Sequence, residues 1–551
     1  MKRLDAKHDL LILLGFGLLV FFGCLVFLRV GGIYVSPDET ATAFFARQFA
    51  ERGSLSAFDS LNVDLVDALH PRSVVSIAGH LVPGSFIGLP VLYGLLSAIT
   101  GDWLLPFFTP MLALIAVFAW YAVVRRIFDR EIGLFSAILL AVHPAWWYYS
   151  ARSFMQNVPF ATLLIFAGYF LVARPSRGRR FAGLDLVLAG FFTGFALFVR
   201  TSETIWIALA VLAAAIAYGR KSLSWRSVAI FVVSAAVALL PMAIINQATY
   251  GSPLAVGYVA KEGEVGEGGE VVEEASQPSQ TLQTYPTLPS LFPFFFPFGL
   301  SYKDIGKNVL SYGAGLFWWM TALILIGFPL AFPTRAVAKE LRAPRRAYLA
   351  FTIVAGAYLA AMYGSWTFFD NPDPTQVTIG NSHVRYWIPV FILLTPFAAH
   401  AVRWLSRRAL TETARHLAVA ALMLACLGLS VRATFFSPQD GLAYAAEELA
   451  ASRDIRARVL ELTEPDAVIV VDRGDKLFFP FRRVRYPLRD ETTYALMPRI
   501  ALHAPLYYYG ITLPQIDVDY LNDVKLGELG LQIDPVETFD IETLYRITRR
   551  D

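Results

Sequence analysis

Charge is scarce in this sequence where a channel or pump would need it. Asp, Glu, Lys and Arg make up 17% of its 551 residues, against 56% hydrophobic and 14% aromatic, and the long apolar runs are nearly bare of ionisable groups. Transporters place such groups inside their spans, facing a pathway, so conduction through the bilayer is disfavoured. Cysteine is almost absent. Cys24 and Cys426 are the whole complement and both fall inside apolar runs, so no disulfide framework or cysteine metal site follows. The net charge is only +3, with basic residues confined to short loops, which argues against nucleic acid as a partner. No repeat of solenoid period is visible. No small-residue cleavage site follows the first apolar run, which is longer than a signal-peptide core and reads as a retained anchor.

What the chain has instead is hydrophobic length. A mean hydropathy of +0.51 marks a polytopic membrane protein. Leu10 to Leu28 is long enough to cross a bilayer as a helix, and Lys2, Arg3 and Lys7 before it place the N-terminus in the cytoplasm. Further runs cover Trp103–Val124, Ile132–Tyr149, Val158–Val172, Leu186–Val199, Ile205–Tyr218, Val228–Ile245, Val309–Phe332, Tyr348–Trp366, Tyr386–Val402 and Leu417–Val431, giving about eleven transmembrane helices. Basic loops alternate with non-basic ones, at 125–130, 174–180, 220–226, 335–346 and 403–415, as positive-inside sorting produces. Leu81 to Thr100 is apolar but carries Pro83, Gly84, Gly88, Pro90 and Gly94. If it crossed, every later basic loop would lie outside, so it reads as an embedded or re-entrant outer-face helix, tolerated where protein or a water-filled cavity covers it.

The expected organisation is a transmembrane module over 1–435, with external juxtamembrane helices at 31–102 and an external loop at 246–308. A soluble extracytoplasmic α/β domain follows over 436–551. In that domain Leu442–Leu462 reads as a helix, Ala467–Val471 as a buried strand, Glu491–Tyr509 as a helix and Glu537–Thr548 as a closing strand. The Gly- and Glu-rich stretch 262–274 reads as a mobile external loop, and the aromatic, proline-broken 291–300 as an interfacial belt or a guide for a lipid tail.

The polar groups gather at the outer ends of the spans: Asp38 and Glu39, His70 with Arg72, His80, Arg152 to Asn157, Arg200 to Glu203, Lys303, and Asp370 to Arg385. One membrane face thus carries carboxylates, arginines and histidines, a pattern that favours chemistry at the outer surface. Asp38-Glu39 follows Ser36-Pro37 at the start of a helix expected over Glu39–Glu51. Capping of that helix is the plain account of the pair. A base for a lipid-borne substrate is the functional one.

Several segments resemble the GT-C class of membrane glycosyltransferases, in the branch of the dolichyl-phosphate-mannose protein mannosyltransferases and aminoarabinose transferases. They are Pro37-Asp38-Glu39-Thr40 after the first span, His70-Pro71 leading to Pro83–Tyr93, Arg125–Arg130 closing one span, Ser150–Asn157 closing the next, and Val384-Arg385-Tyr386-Trp387-Ile388-Pro389 opening a late one. The chain departs from the branch at Gln156-Asn157, where an acid is common. The resemblance implies a GT-C-like polytopic α-helical fold and a membrane enzyme that moves a sugar from a polyprenyl-phosphate donor to a glycan, lipid or protein acceptor on the extracytoplasmic face. It implies Asp38 as general base, with Glu39 orienting the acceptor or binding a divalent cation; no other cofactor or metal ligand is expected. Donor-phosphate partners would be Arg385, Arg200, His383 and Lys303, and substrate-binding residues His70, His80, Arg152, Asn157 and Tyr386. Snorkelling to headgroups is the plainer account of Arg152, Arg200 and Arg385. A lipid or solute transporter and a lipid-linked oligosaccharide ligase stay open as alternatives.

Overall fold

A computed structural model describes residues 2–28, 32–173, 182–219, 224–258, 295–332, 337–371, 373 and 375–550. The expectations for 174–180, 262–274 and 291–294, and for Arg220, Lys221 and Arg335, fall outside the described residues. The chain divides into two compact units: Met1–Leu28 with Phe107–Pro241 and Glu270–Ala445, and Arg29–Pro106 with Met242–Gly269 and Ala446–Asp551.

The first unit is helical and carries most of the apolar spans. Seven helices in the described residues are long and apolar enough to cross a membrane, and nine spans result if two bent pairs each count as one. The bent pairs are Arg130–Ala141 with Pro144–Ala151, turned by 48°, and Tyr302–Gly315 with Trp318–Gly327, turned by 93°. The first break falls at His143-Pro144, where proline cannot donate to the preceding turn. Two shorter apolar helices, Asn157–Val172 and Gly183–Val199, account for the remaining runs read from the sequence. Gly190 and Gly194 face the carbonyls of Phe231 and Ala235, where a Cβ would sit 2.3 and 2.2 Å from oxygen, so the helices Ala182–Val199 and Trp225–Tyr250 meet backbone to backbone at this crossing.

Ion pairs gather the basic loops at one end of this unit. Asp9 of the first helix accepts from Arg130 at 2.6 Å and from Tyr121 at 2.6 Å. Asp129 pairs with Arg403 at 2.7 Å, and Glu131 with Arg407 and Arg415. Arg345 donates to the carbonyls of Ile127 and Phe128. Three of the loops read as basic therefore share an end with the start of the first helix. At the other end, Tyr149 bonds the carbonyls of Ile379 to Asn381, and Asn308 those of Gly364 and Trp366. His143 and His400 are buried among Phe317, Phe391 and Phe128 and hydrogen-bonded, to the Ala145 N–H and the Pro396 carbonyl respectively.

The second unit combines a small antiparallel sheet with an α/β sheet. Strands β1 (Ala57–Phe58), β2 (Val74–Ile77) and β3 (His80–Pro83) pair in the order β1-β3-β2. The segment read as one outer-face helix from Leu81 thus begins as a strand, and its helix is Gly88–Thr100; Pro83 and Gly84 separate the two. That helix packs on the helix Pro37–Arg52, with Gly94 against the Ala46 carbonyl and Phe49. Strands β4 (Val468–Val471), β5 (Arg483–Arg485), β6 (Leu506–Ile511), β7 (Leu531–Phe539) and β8 (Glu542–Arg549) form one sheet, ordered β5-β4-β6-β8-β7. β4 runs parallel to both β5 and β6, while β8 is antiparallel to β6 and β7.

The helix Leu442–Leu462 has the bounds read from the sequence. The one read over Glu491–Tyr509 ends at His503. Pro505 stops it, and Leu506-Tyr-Tyr-Tyr509 enters the buried strand β6, where aromatic residues fit the pleated surface. The single closing strand is a hairpin, β7 and β8. Leu61, Leu65 and Leu69 share one hydrophobic core with Val468, Val470, Tyr508, Ile533 and Ile547, so the segment between β1 and β2 and the C-terminal sheet fold as one body.

Candidate active site

In the second unit, the helix Pro37–Arg52 starts with a capping box. Ser36 Oγ accepts from the Glu39 backbone at 3.4 Å, and Glu39 Oε2 accepts from the Ser36 backbone at 3.0 Å. Glu39 is 2% exposed, so its carboxylate closes its own helix. Asp38, half-buried one position earlier, accepts instead from the Ser73 hydroxyl at 2.5 Å. The capping box therefore engages Glu39, while the side-chain bond of Asp38 to Ser73 is tertiary.

Around Asp38 the unit assembles a charged cluster that local sequence did not show. Arg72 forks onto Asp475, with Nη2 at 2.6 Å and Nε at 3.2 Å, and its backbone N–H donates to the same carboxylate at 2.8 Å. Burial pulls Arg72 down, but the bonds and charge of Asp475, with smaller contributions from Tyr486 and Asp38, outweigh it and hold the guanidinium above its ordinary value. Lys476 donates to the Val35 carbonyl at 2.8 Å. His70 lies edge-on to Tyr486 at 6.3 Å. His80 is exposed on β3, with Nδ1 2.8 Å from Ser56 Oγ.

In the first unit, arginines and tyrosines converge. Arg385 and Tyr386 sit on the short helix Ser382–Tyr386. The guanidiniums of Arg385 and Arg200 lie 5.1 and 5.0 Å from the centroid of the Tyr386 ring, and Tyr363 stacks on that ring at 4.3 Å. Two cations at one electron-rich ring is a cation–π arrangement. Arg200 is also committed to Glu203, at 2.6 Å, and Glu203 accepts from Tyr363 at 2.7 Å and Trp206 at 2.6 Å. Arg385 is half-buried, with Nη1 3.5 Å from Met155 Sδ.

The other residues expected to bind substrate are dispersed. Arg152 is 4% exposed, over the rings of Tyr148 and Tyr149, so packing rather than snorkelling describes it. Asn157 is buried in the first turn of Asn157–Gly168. Lys303 is exposed on Tyr302–Asn308. The His383 ring meets Asn381 Oδ1 at 2.7 Å and the Trp366 carbonyl at 3.0 Å. Burial pushes it down to about 4, so it is neutral at pH 7 and supplies no charge to a phosphate. The sequence reading did not single out Asp440. It lies near Arg152, its Oδ2 accepts from the Gly380 N–H at 2.7 Å, and burial raises its carboxyl. Among the described residues no three His, Cys, Asp or Glu side chains form a group suited to a metal ion.

Residues 89–245 match the family described as dolichyl-phosphate-mannose-protein mannosyltransferase. Two crystal structures of ArnT from Cupriavidus metallidurans are similar over 98% of this chain and 98% of theirs. The apo state has a TM-score of 0.62 at 13% identity, and the form bound to undecaprenyl phosphate 0.59 at 14%. The chain has the GT-C glycosyltransferase fold. The same fold extends to the oligosaccharyltransferase of Archaeoglobus fulgidus tethered with an acceptor peptide containing the NVT sequon, with a TM-score of 0.51 at 14% identity, covering 90% of this chain and 69% of that one. No curated protein matches the chain by sequence. Family match and GT-C fold agree on one class of enzyme, a membrane-embedded glycosyltransferase, as the resemblance in the sequence implied.

Proposed function

We propose that this GT-C protein transfers a sugar from a polyprenyl-phosphate donor to an acceptor on the extracytoplasmic face, with the N-terminus cytoplasmic and the C-terminal domain outside. Asp38 takes the proton of the acceptor hydroxyl as that oxygen attacks the anomeric carbon. The bond from that carbon to the phosphate oxygen breaks, and the polyprenyl phosphate leaves with the electron pair. Arg385, beside Tyr386 and Arg200, binds the phosphate as its charge develops. The observation that carries the choice of base is the split of the acidic pair: Glu39 is spent on its capping box, while Asp38 receives Ser73 near Arg72. The polyprenyl carrier is supported by the end-to-end likeness to ArnT bound to undecaprenyl phosphate.

Purified protein given a labelled polyprenyl-phosphate sugar tests this. Asp38→Asn keeps size and most hydrogen bonding but cannot accept the proton, so transfer falls by roughly 10²–10⁴-fold while the protein stays folded. Near-normal turnover overturns Asp38 as base, and absence of any transfer by the wild type favours a transporter. A ligase for whole lipid-linked oligosaccharides is the second reading, favoured by the likeness to the archaeal oligosaccharyltransferase. Use of an oligosaccharide donor but not a single-sugar donor would select it.

A further inference from the structure

We infer that Ser73 and the Arg72–Asp475 pair form a positioning device through which the C-terminal sheet orients the carboxylate of Asp38. The inference rests on the reading of Asp38 as base. In the C-terminal sheet, β4 lies between β5 and β6 and runs parallel to both. The chain therefore leaves β4 in one direction to reach β5 and returns on its other side to form β6. In open α/β sheets the crevice outside the carboxyl end of such a strand is where ligands sit. Here that place holds an arginine of the same polypeptide. Arg72 Nη2 donates to the Arg473 carbonyl at 3.0 Å, just past β4, and the guanidinium forks onto Asp475, whose side chain is 0% exposed.

The next residue makes the connection to Asp38. Ser73 has φ 64°, a left-handed conformation that L residues other than Asn and Asp seldom adopt. Its carbonyl accepts from the Gly84 N–H at 3.0 Å, and its hydroxyl reaches Asp38 at 2.5 Å. The helix Asp475–Phe478 and the residue after it also touch the chain on either side of Asp38. Lys476 donates to the Val35 carbonyl just before the helix that carries Asp38, and Phe479 packs edge-on against Phe44 of that helix at 4.9 Å. The short connection between β4 and β5 thus grips both chain segments that meet at Asp38. Charged and titratable groups of this cluster include Glu39 on the same helix as Asp38, Arg72 one residue before Ser73, and Asp475, Lys476 and Tyr486 from the C-terminal domain.

A donated hydrogen bond favours the ionised carboxylate, and a fixed carboxylate presents one lone-pair direction to an acceptor. Ser73→Gly isolates the hydroxyl, because glycine adopts φ 64° without strain. In the full-length enzyme this variant is expected to keep or raise Tm. The acid limb of its kcat/KM profile should move up by about one pH unit, and kcat should fall on the order of tenfold with donor KM unchanged. Ser73→Asn, which tolerates the same backbone and restores a donor, should recover much of the loss. The paired variant Arg72→Met with Asp475→Leu removes both charges together, avoiding an unpaired buried carboxylate, and should shift the profile the same way. Wild-type profiles and kcat in both Ser73→Gly and the paired variant, in preparations where Asp38→Asn is inactive, overturn the device and leave the base standing. A double-mutant cycle on Tm between Ser73→Gly and Asp38→Ala reads the contact without reference to activity. Coupling supports the device even if Asp38 is not the base, and additivity overturns it.

Discussion

Arg200 and Glu203 meet at 2.6 Å with side chains only 7% and 3% exposed, and Tyr363 and Trp206 donate to the same carboxylate. A buried pair of this kind contributes little against a well-packed apolar replacement but is costly to halve. Glu203→Ala should therefore lower unfolding stability by about 3–5 kcal/mol, measured by thermal unfolding in detergent. Arg200→Met with Glu203→Leu should recover most of that loss. If Arg200 also attends the donor phosphate, the recovered fold will bind donor more weakly than the wild type.

Arg385 and Arg408 flank opposite ends of the helix Ile388–Ser406, which is about 28 Å long at the usual rise per residue. Arg408 packs over Trp404 at 4.2 Å. Arg385→Ala should weaken donor binding by about 1.5–3 kcal/mol, the worth of a hydrogen bond to a charged group, and Arg408→Ala should leave it close to wild type. Small, equal changes in donor affinity for the two variants would return Arg385 to a purely structural role.

The capping box separates the two acids by experiment as well as by geometry. Ser36→Ala should cost about 1 kcal/mol of stability without a large change in turnover. Glu39→Gln retains bonding capacity at the helix start and should keep transfer within a few-fold of wild type. Loss of turnover in Glu39→Gln with unchanged Tm would move the chemistry from Asp38 to Glu39.

His383 gives the protein an acid limit. Its ordinary value of 6.5 falls to about 4 in the fold because burial disfavours the charged ring. Above pH 6.5 both folded and unfolded forms are neutral, so the residue adds no pH dependence. Between pH 6.5 and 4 the unfolded chain takes up the proton and the folded one does not, so stability declines as pH falls, by up to about 3 kcal/mol. Below about 4 the loss is complete. Unfolding followed across that window should show the decline in wild type and a flatter curve in His383→Gln.

The membrane scaffold was legible because its signal is local. Each apolar run read from the sequence corresponds to a helix or a bent pair, and the helix Leu442–Leu462 was read with its bounds. The errors came where two elements share one composition. Tyr507, Tyr508 and Tyr509 continue the apolar character of the preceding helix, and only Pro505 marks the change to a strand. Asp38 and Glu39 were visible as a pair, but their different partners were not, since the contact of Asp38 with Ser73 spans 35 residues of chain. Asp475 was invisible as a partner because it meets Arg72 across 403 residues of chain. Tertiary proximity of that kind leaves no periodic trace.

That separation has a consequence for biogenesis. At a synthesis rate of about 5–20 residues per second, Arg72 is made roughly 20 to 80 seconds before its partner at position 475. Through that interval nearly every apolar span has been made and can enter the bilayer, while the loop beside Asp38 waits without its clamp. A chain cut short between Arg385 and Asp475 would carry Asp38 and Arg385 but lack the anchor for Arg72. A damaged message or a stalled ribosome would then leave an inserted protein whose Arg72 lacks its carboxylate partner.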